Sequence, residues 1–198
     1  MNDLAKRVWV NAEALSNLLD TSGFVEDISP DSLKKIGAQA VILDHDGVLG
    51  AIRSKVPDGI GAKLIHDLVE AFGVGKVFIL SNTKSAKKSR RAMYADRYKG
   101  VTYLMAARKP HPEGLNMAVT LSGVSYGKIA VVDDGILTGG LMAVENGAIP
   151  VYATRKRIEE NSAQKVARLL VTLPQVALVH LISFCKKGFT GPGRPSDS

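Results

Sequence analysis

Residues 40–47 read Ala-Val-Ile-Leu-Asp-His-Asp-Gly, four apolar residues followed directly by two aspartates and a glycine. A continuous apolar run that ends in a polar turn is typical of a strand buried on both faces of a parallel sheet. Three further runs have the same pattern, at residues 76–80 (KVFIL), 128–132 (KIAVV) and 149–153 (IPVYA). Together the four runs predict a parallel sheet.

Segments of helical character lie between and after these runs, at residues 59–72, 85–97, 112–122 and about 137–146. Strands that alternate with helices over short connections predict right-handed crossovers. The fold class expected is therefore α/β, a doubly wound, Rossmann-like parallel sheet in a three-layer sandwich. We expect no cap domain, because each interval between the polar strand ends holds little beyond one crossover helix.

The remaining sequence divides into flanking segments. Residues 1–35 are expected to be a helical packing segment, with a first helix over 4–19 and a second opened by the N-cap and proline pair Ser29-Pro30. The α/β core is expected over 36–160. Residues 161–185 predict an amphipathic helix that Pro174 kinks or divides, and the Gly- and Pro-rich tail 186–198 predicts disorder.

The composition is that of a globular chain with a basic balance. Hydrophobic residues at 45% and charged residues at 23% exclude wholesale disorder and a coiled coil. The net charge of +7 predicts attraction to nucleic acid, anionic lipid head groups or a phosphorylated substrate. The single cysteine, Cys185, cannot form an intramolecular disulfide, and the four scattered histidines exclude a Cys/His zinc module.

The chemistry is concentrated where the strands end. Asp44 and Asp46 follow the first apolar run, and ligands of such sheets bind beyond the carboxyl ends of the strands. Two converging carboxylates suit Mg²⁺, and they also suit phosphoryl transfer in which one aspartate attacks phosphorus and the other moves a proton. An ordinary turn with two solvated aspartates fits the same pattern.

Polar residues follow the other strands in a matching order. Ser81 could hold phosphate oxygens near a helix start, and Lys109 could place an ammonium against the transferred phosphoryl group. Asp133-Asp134 would complete a metal site. Taken singly, these residues could be an N-cap, a solvated loop lysine and a turn. Their occurrence in one order along the sheet favours a shared site.

In these four motifs the chain resembles the haloacid dehalogenase superfamily of phosphatases. The resembling motifs are residues 44–49 (DHDGVL), Ser81, Lys109 and the pair Asp133-Asp134. More narrowly, the chain is similar to the YqeG-type branch, which includes phosphatidylglycerophosphate phosphatases, at residues 29–42, 80–83 (LSNT), 107–110 (ARKP) and 134–138 (DGILT). The resemblance covers roughly residues 22–160.

The resemblance implies a role for each matching residue. Asp44 would be the nucleophile and a Mg²⁺ ligand, Asp46 the general acid/base and a ligand through its backbone carbonyl, and Lys109 the charge stabiliser. The remaining implied residues are the phosphate binders Ser81, Asn82 and Gly47 and the metal ligands Asp134 and Asp133.

The chain departs from the branch at three places. Gly47-Val48 stands where the branch has Asn-Thr, which removes a phosphate-contacting hydroxyl. Gly139 stands where the branch has a second aspartate, and the adjacent pair Asp133-Asp134 could replace that carboxylate. His45 occupies the variable position of the first motif, where we expect its side chain to point away from substrate.

These features predict a Mg²⁺-dependent phosphomonoester hydrolase that acts through an aspartyl-phosphate. An uncapped site suits a large or surface-bound substrate, and the resemblance points to the lipid phosphatidylglycerophosphate. Two alternatives stay open: a phosphatase for a nucleotide or another soluble phosphate, and a non-catalytic basic module that binds RNA. Nucleic acid is the less favoured partner.

The C-terminal helical segment leaves a further alternative open. Thr172, Gln175 and Ser183 fall on a polar stripe, and most of the remaining surface is apolar. That apolar face could pack on protein, or it could contact an anionic membrane surface peripherally. Arg168 and His180 argue against a transmembrane span. The sequence shows no secretory signal, so the expected location is cytoplasmic, and a peripheral position at the inner face of a membrane stays open as an alternative.

Overall fold

The computed structural model describes residues 3–83, 87–106, 108–156 and 162–189. Six parallel strands form one sheet in the order β1-β6-β5-β2-β3-β4. The strands are β1 (Gly23–Phe24), β2 (Ala40–Leu43), β3 (Val77–Ile79), β4 (Val101–Tyr103), β5 (Ile129–Asp133) and β6 (Ile149–Thr154). The helices are α1 (Asp3–Asp20), α2 (Pro30–Lys35), α3 (Gly59–Phe72), α4 (Lys87–Arg97), α5 (Glu113–Ser122), α6 (Leu141–Glu145) and α7 (Ser162–Phe189).

Strand β2 lies at the centre of the sheet, between β3 and β5, and all four of its residues are buried. Val41 and Leu43 pack into the core under α3, whereas Ala40 and Ile42 pack into the opposite core under α5 and α6. This burial explains the continuous apolar run, because a strand covered on both faces has no side that must be polar. The expected three-layer α/β class is confirmed.

The predicted strands agree with those of the structure, except that two short strands were not predicted. The four apolar runs correspond to β2, β3, β5 and β6, and the helix predicted at 59–72 is α3. Ser29 caps α2 ahead of Pro30, as predicted, and the structure adds a capping box in which Ser32 takes part. The sequence did not reveal β1 and β4, because these edge strands of two and three residues are too short to form an apolar run.

The C-terminal helix differs from the prediction. Pro174 does not divide helix α7, and Lys186 to Phe189 are helical where disorder was expected. Its packing on α1 supports it: Val179 joins a buried cluster with Val8 and Leu15. A proline removes one backbone hydrogen bond, and such packing can offset that loss. Residues 84–86, 157–161 and 190–198 lie outside the described residues. Within the described ranges, no helix combines the length and apolar character needed to cross a membrane.

Candidate functional site

The predicted motifs meet at the carboxyl edge of the sheet. Asp44 directly follows β2, Asp133 ends β5, and Lys109 lies in the loop between β4 and α5. They line a cavity of about 610 Å³, a volume that suits a small-molecule ligand. The residues that line it are Asp44, Asp46, Ile52, Arg53, Asn82, Thr83, Arg108, Lys109, Asp133, Asp134, Gly135, Thr138, Thr172 and Gln175.

Lys109 lies between two aspartates at the bottom of this cavity. Its Nζ is 2.8 Å from Asp44 Oδ1 and donates a hydrogen bond of 2.5 Å to Asp133 Oδ2. Lys109 is 5% exposed and Asp44 is 8% exposed, so these charges are largely removed from water. Burial lowers the pKa of Lys109, but the carboxylates of Asp133 and Asp44 raise it by more, and the ammonium stays charged.

Asp134 adds a third carboxylate to this centre. Asp44, Asp133 and Asp134 each offer an oxygen, and these oxygens all lie within 4.8 Å of one another. Three carboxylates and one ammonium leave a formal charge of −2. Burial, helped by the charges of Asp133 and Asp46 and opposed by Lys109, raises the pKa of Asp44 to about 7. Lys109 therefore offsets one of the three negative charges of this centre, and two are unbalanced when all three carboxylates are ionised.

The donor set fits a hard divalent cation. Among the described residues, Asp44 Oδ1 is buried without a hydrogen-bond donor in bonding geometry, although Lys109 Nζ is nearby. Burial, followed by the charge of Asp44, raises the pKa of Asp134 well above its ordinary value. Carboxylate oxygens are the ligands that Mg²⁺ prefers, and a dication would offset the charge of −2. Asp44, Asp133 and Asp134 could thus hold Mg²⁺.

Two glycines make room for these carboxylates. Gly47 has φ +87°, and a Cβ at this position would lie 1.9 Å from Asp134 Oδ2. A Cβ at Gly139 would lie 2.2 Å from Asp133 Oδ2. Both glycines are positions where the sequence departs from the motifs of the phosphatase branch that it resembles. The space that a side chain at position 47 or 139 would need is occupied by the carboxylates of Asp134 and Asp133, respectively.

Asp46 is held by five hydrogen bonds. Arg90 donates from both terminal nitrogens, at 2.7 Å to Oδ1 and 2.8 Å to Oδ2. The Ser81 and Thr83 hydroxyls donate to Oδ2, and the Arg53 backbone N–H donates to Oδ1. Burial raises the pKa of Asp46, but the hydrogen bonds and charge of Arg90, together with the hydrogen bonds from Thr83 and the Arg53 N–H, lower it to well below the ordinary range. A proton could reach Asp46 only if one oxygen leaves this cluster of donors.

Arg90 is the main residue that sequence reasoning missed. It belongs to the basic run near residues 84–91, which is most simply interpreted as a solvated face, yet it is fully buried. It also donates to the Ser54 carbonyl and to Ser81 Oγ. The available signal was its spacing of four residues from Tyr94, which places both side chains on the same inward face of α4.

His45 is buried beneath the site. Its Nδ1 lies 2.7 Å from the Tyr94 hydroxyl, and its Nε2 lies 3.0 Å from Ser54 Oγ. Burial, and then the charge of Arg90, lowers the pKa of His45 to about 4. The imidazole is therefore neutral near pH 7. The side chain does not line the cavity, which agrees with the expectation that it points away from substrate.

Ser81 and Asn82 make contacts within the protein. The Ser81 hydroxyl is 1% exposed and hydrogen-bonds with Asp46 and Arg90. Asn82 lines the cavity, but its amide pairs with the backbone of Lys109, donating to the carbonyl and accepting from the N–H. Asn82 thus positions the backbone that carries the Lys109 ammonium. Binding of phosphate by Ser81 and Asn82 stays a prediction.

Helix α7 forms one wall of the cavity. Thr172 and Gln175 line it, and Gln175 Oε1 accepts a hydrogen bond from the Leu137 backbone N–H. Ser183 is buried on the same polar stripe. The polar stripe of α7 therefore faces the protein. The sequence revealed the stripe but contained no signal for the side that it would face.

No protein-family model, curated protein or solved structure matches the chain. The class that the structure defines is an α/β protein with a Rossmann-like parallel sheet and an acidic site at the carboxyl edge.

Proposed function

We propose that this protein is a Mg²⁺-dependent phosphomonoester hydrolase that acts through an aspartyl-phosphate. The observation that carries the proposal is the buried ammonium of Lys109 between Asp44 and Asp133, with Asp134 as a third carboxylate. An attacking carboxylate, a fixed cation and a place for a divalent metal are the groups that phosphoryl transfer to an aspartate requires.

The carboxylates of Asp44, Asp133 and Asp134 would hold the metal, with the Asp46 backbone carbonyl as a further ligand. When bound, Mg²⁺ would supply positive charge against the phosphoryl oxygens. Asp133 is fixed for this role, because its Oδ1 accepts hydrogen bonds from the Gly135 N–H and the Thr138 hydroxyl. Its Oδ2 accepts from Lys109.

The chain's own residues would perform two displacements. In the first, an Asp44 oxygen forms a bond to phosphorus while the bond from phosphorus to the ester oxygen breaks, and the departing oxygen takes a proton from Asp46. In the second, water attacks the phosphorus of the aspartyl-phosphate, its proton passes to Asp46, and Asp44 is released with inorganic phosphate. Lys109 would offset the repulsion between phosphate and the carboxylates in both steps.

This mechanism requires movement around Asp46. Its two oxygens accept all five hydrogen bonds described above, which favours the ionised carboxylate. That form can accept a proton but cannot donate one. Proton donation to the leaving group therefore requires Asp46 to separate at least partly from Arg90 when substrate binds.

The substrate we propose is phosphatidylglycerophosphate, hydrolysed at the inner face of a membrane by a cytoplasmic protein. A row of apolar side chains on α7 supports contact with that surface, because it is exposed and lies opposite the polar stripe. Its members recur at helical spacing: Val166, Leu169, Leu170, Leu173, Leu181 and Phe184. The net charge of +7 would add attraction to an anionic leaflet.

Packing on the protein and contact with a membrane surface, the two alternatives for α7, concern different faces of the helix. Leu178, Val179 and Ile182 pack toward α1, whereas the exposed row points away from the protein. Phe184 is 77% exposed and Leu170 is 71% exposed, which is unfavourable in water for large apolar side chains. A peripheral position on a bilayer would bury them.

The test is a substrate panel with the full chain in Mg²⁺ and in a chelator. Vesicle-borne phosphatidylglycerophosphate, a nucleoside monophosphate and glycerol phosphate are compared by phosphate release. We expect Mg²⁺-dependent release from the lipid. In Asp44→Asn, release and the covalent phosphoenzyme should both be lost, because an amide oxygen cannot replace the attacking carboxylate. Full activity in this variant would refute the mechanism.

Other results of the panel would assign the protein differently. Phosphate release from the soluble substrates alone would support the hydrolase mechanism but would contradict the lipid as substrate. No release from any phosphomonoester, together with RNA binding that weakens steeply with salt, would instead support a non-catalytic binding module.

A further inference from the structure

Two arginines line the cavity above the acidic centre. Arg53 and Arg108 are both exposed, whereas Asp44 and Lys109 below them are nearly inaccessible to water. No ion pair joins either guanidinium to another of the residues that the structure describes. Within the described part of the chain, the cavity lining therefore carries two positive charges, those of Arg53 and Arg108, that no carboxylate pairs with.

Both arginines are attached to backbone that the site itself holds in place. Arg53 has φ +62°, and its N–H donates to Asp46 Oδ1 at 2.7 Å. Arg108 directly precedes Lys109, whose N–H donates to Asn82 Oδ1 at 2.7 Å. The guanidinium groups thus extend from two fixed points of the cavity wall.

The two arginines are exposed, whereas the residues proposed to act on the phosphoryl group are buried. A phosphoryl group must reach the Asp44 carboxylate, where Lys109 already supplies a cation. The volume of about 610 Å³ leaves space for the rest of a substrate above that point. Helix α7 contributes the neutral polar side chains of Thr172 and Gln175 to the same lining. Apart from Lys109, the cationic side chains of this lining are those of Arg53 and Arg108.

We propose that Arg53 and Arg108 form a second anion subsite, so that the preferred substrate is a phosphomonoester that carries another anionic group. A phosphodiester or a carboxylate is the chemistry that two guanidinium groups recognise best. The inference rests on the proposed hydrolase function and adds a selection rule to it. The anionic group could belong to a lipid head group or to a soluble metabolite.

The experiment compares substrates that differ in the second anion. Glycerol phosphate has none, whereas glycerophosphoglycerol phosphate adds a phosphodiester and 3-phosphoglycerate adds a carboxylate. For the double variant Arg53→Gln/Arg108→Gln, we expect KM to rise about 10- to 100-fold for the two substrates with a second anion, the range for lost hydrogen bonds between charged groups. KM for glycerol phosphate should stay within about twofold, because its only anion lies in the centre below.

Arg91→Gln is the matched control, because Arg91 is an exposed arginine on α4 that does not line the cavity. It should leave all three KM values unchanged. An equal loss for every substrate in the double variant would place the arginines on the transferred phosphoryl group and overturn the subsite. Unchanged kinetics with every substrate would overturn it as well.

Vesicle-borne phosphatidylglycerophosphate and its soluble head group, glycerophosphoglycerol phosphate, identify the source of the anion. If the double variant raises KM by the same factor for the vesicle-borne lipid and for the soluble head group, the anion that the subsite binds belongs to the head group. If the wild type hydrolyses no phosphomonoester, the hydrolase proposal fails, and calorimetry with glycerophosphoglycerol, a phosphodiester alone, then tests the subsite. Binding that the double variant loses supports the subsite, and absence of binding to the wild type overturns it.

Discussion

The carboxylate of Asp134 occupies the space that a side chain at Gly47 would need. The two residues are far apart in sequence and meet because β2 and β5 are neighbours in the sheet. Residue 47 has φ +87°, so its backbone also favours glycine. The glycine of the first motif and the second aspartate of the last motif therefore form one structural unit.

We expect Gly47→Ala to displace Asp134 and weaken Mg²⁺ binding. The added Cβ would overlap a carboxylate oxygen, and the cation would lose one of three acidic ligands. Isothermal titration calorimetry with Mg²⁺ measures the change, which should be at least about tenfold in affinity.

Gly37→Ala is the matched control for this prediction. Gly37 also has positive φ, at +93°, but a Cβ there would meet no atom within 4 Å. Both variants place an alanine in the left-handed backbone region, which is unfavourable for it, but only the alanine at position 47 would clash with Asp134. Equal Mg²⁺ affinity in the two variants would contradict the steric account.

We expect Arg90→Gln to destabilise the fold by about 3–5 kcal/mol, because it leaves the Asp46 carboxylate buried without its cation. Urea denaturation of Arg90→Gln, Asp46→Asn and the double variant forms a thermodynamic cycle. The double variant should lose less stability than the sum of the single variants. The exposed Arg97→Gln serves as the surface control, within about 0.5 kcal/mol of wild type. Strictly additive losses would show that the pair contributes no coupling.

Asp46→Asn should separate the two chemical steps. An asparagine can keep some of the surrounding hydrogen bonds but cannot move a proton, so Asp44 should still become phosphorylated slowly. Hydrolysis of that phosphoenzyme should be impaired. Rapid-quench measurement of phosphoenzyme and of released phosphate distinguishes the steps. Wild-type rates for both would remove Asp46 from proton transfer.

The raised pKa of Asp44, about 7, predicts the pH dependence of stability without metal. In an unfolded chain an aspartate titrates near pH 4, so between about pH 4 and 7 the folded state binds the proton more tightly. The free energy of unfolding should therefore fall as pH rises through this range. Mg²⁺ competes with that proton, and the gain in Tm on adding Mg²⁺ should be larger at about pH 8 than at about pH 5.5.

Calorimetric melting in Mg²⁺ and in chelator checks this expectation. Asp44→Asn removes the titrating carboxyl, so the difference between the two pH values should shrink in that variant. Equal gains in Tm at both pH values for the wild type would contradict the prediction that Mg²⁺ displaces a proton from the site.

Replacement of exposed leucines on α7 should weaken vesicle binding. Leu170→Gln and Leu173→Gln each remove apolar surface worth about 1.5–3 kcal/mol when buried, so each should lower affinity for anionic vesicles about tenfold or more. High salt should also weaken binding, since charges beyond a Debye length of about 8–10 Å are screened. Leu121→Gln, on the exposed surface of α5, is the control. Vesicle binding equal to wild type in both α7 variants would exclude this face as the contact.

The sequence by itself determined the α/β class and the order of the motifs along the sheet. Strands such as β2 are buried on both faces, so they leave an apolar run that needs no tertiary information to identify. Parallel strands also end at a common edge, which is why Asp44, Lys109 and Asp133 could be expected near one another before their distances were known.

Only the tertiary structure decided which charges pair and which faces are exposed. Arg90 and Asp46 are 44 residues apart, and the neighbouring basic residues of the same run look alike in sequence. Helix α7 presents its polar stripe to the protein and an apolar row to the outside, an orientation that its periodicity leaves undetermined. The ion pair of Arg90 and the orientation of α7 both depend on packing between segments that are distant in sequence. A local sequence pattern shows which residues share a face of a helix or strand, but it does not show which other element will cover that face.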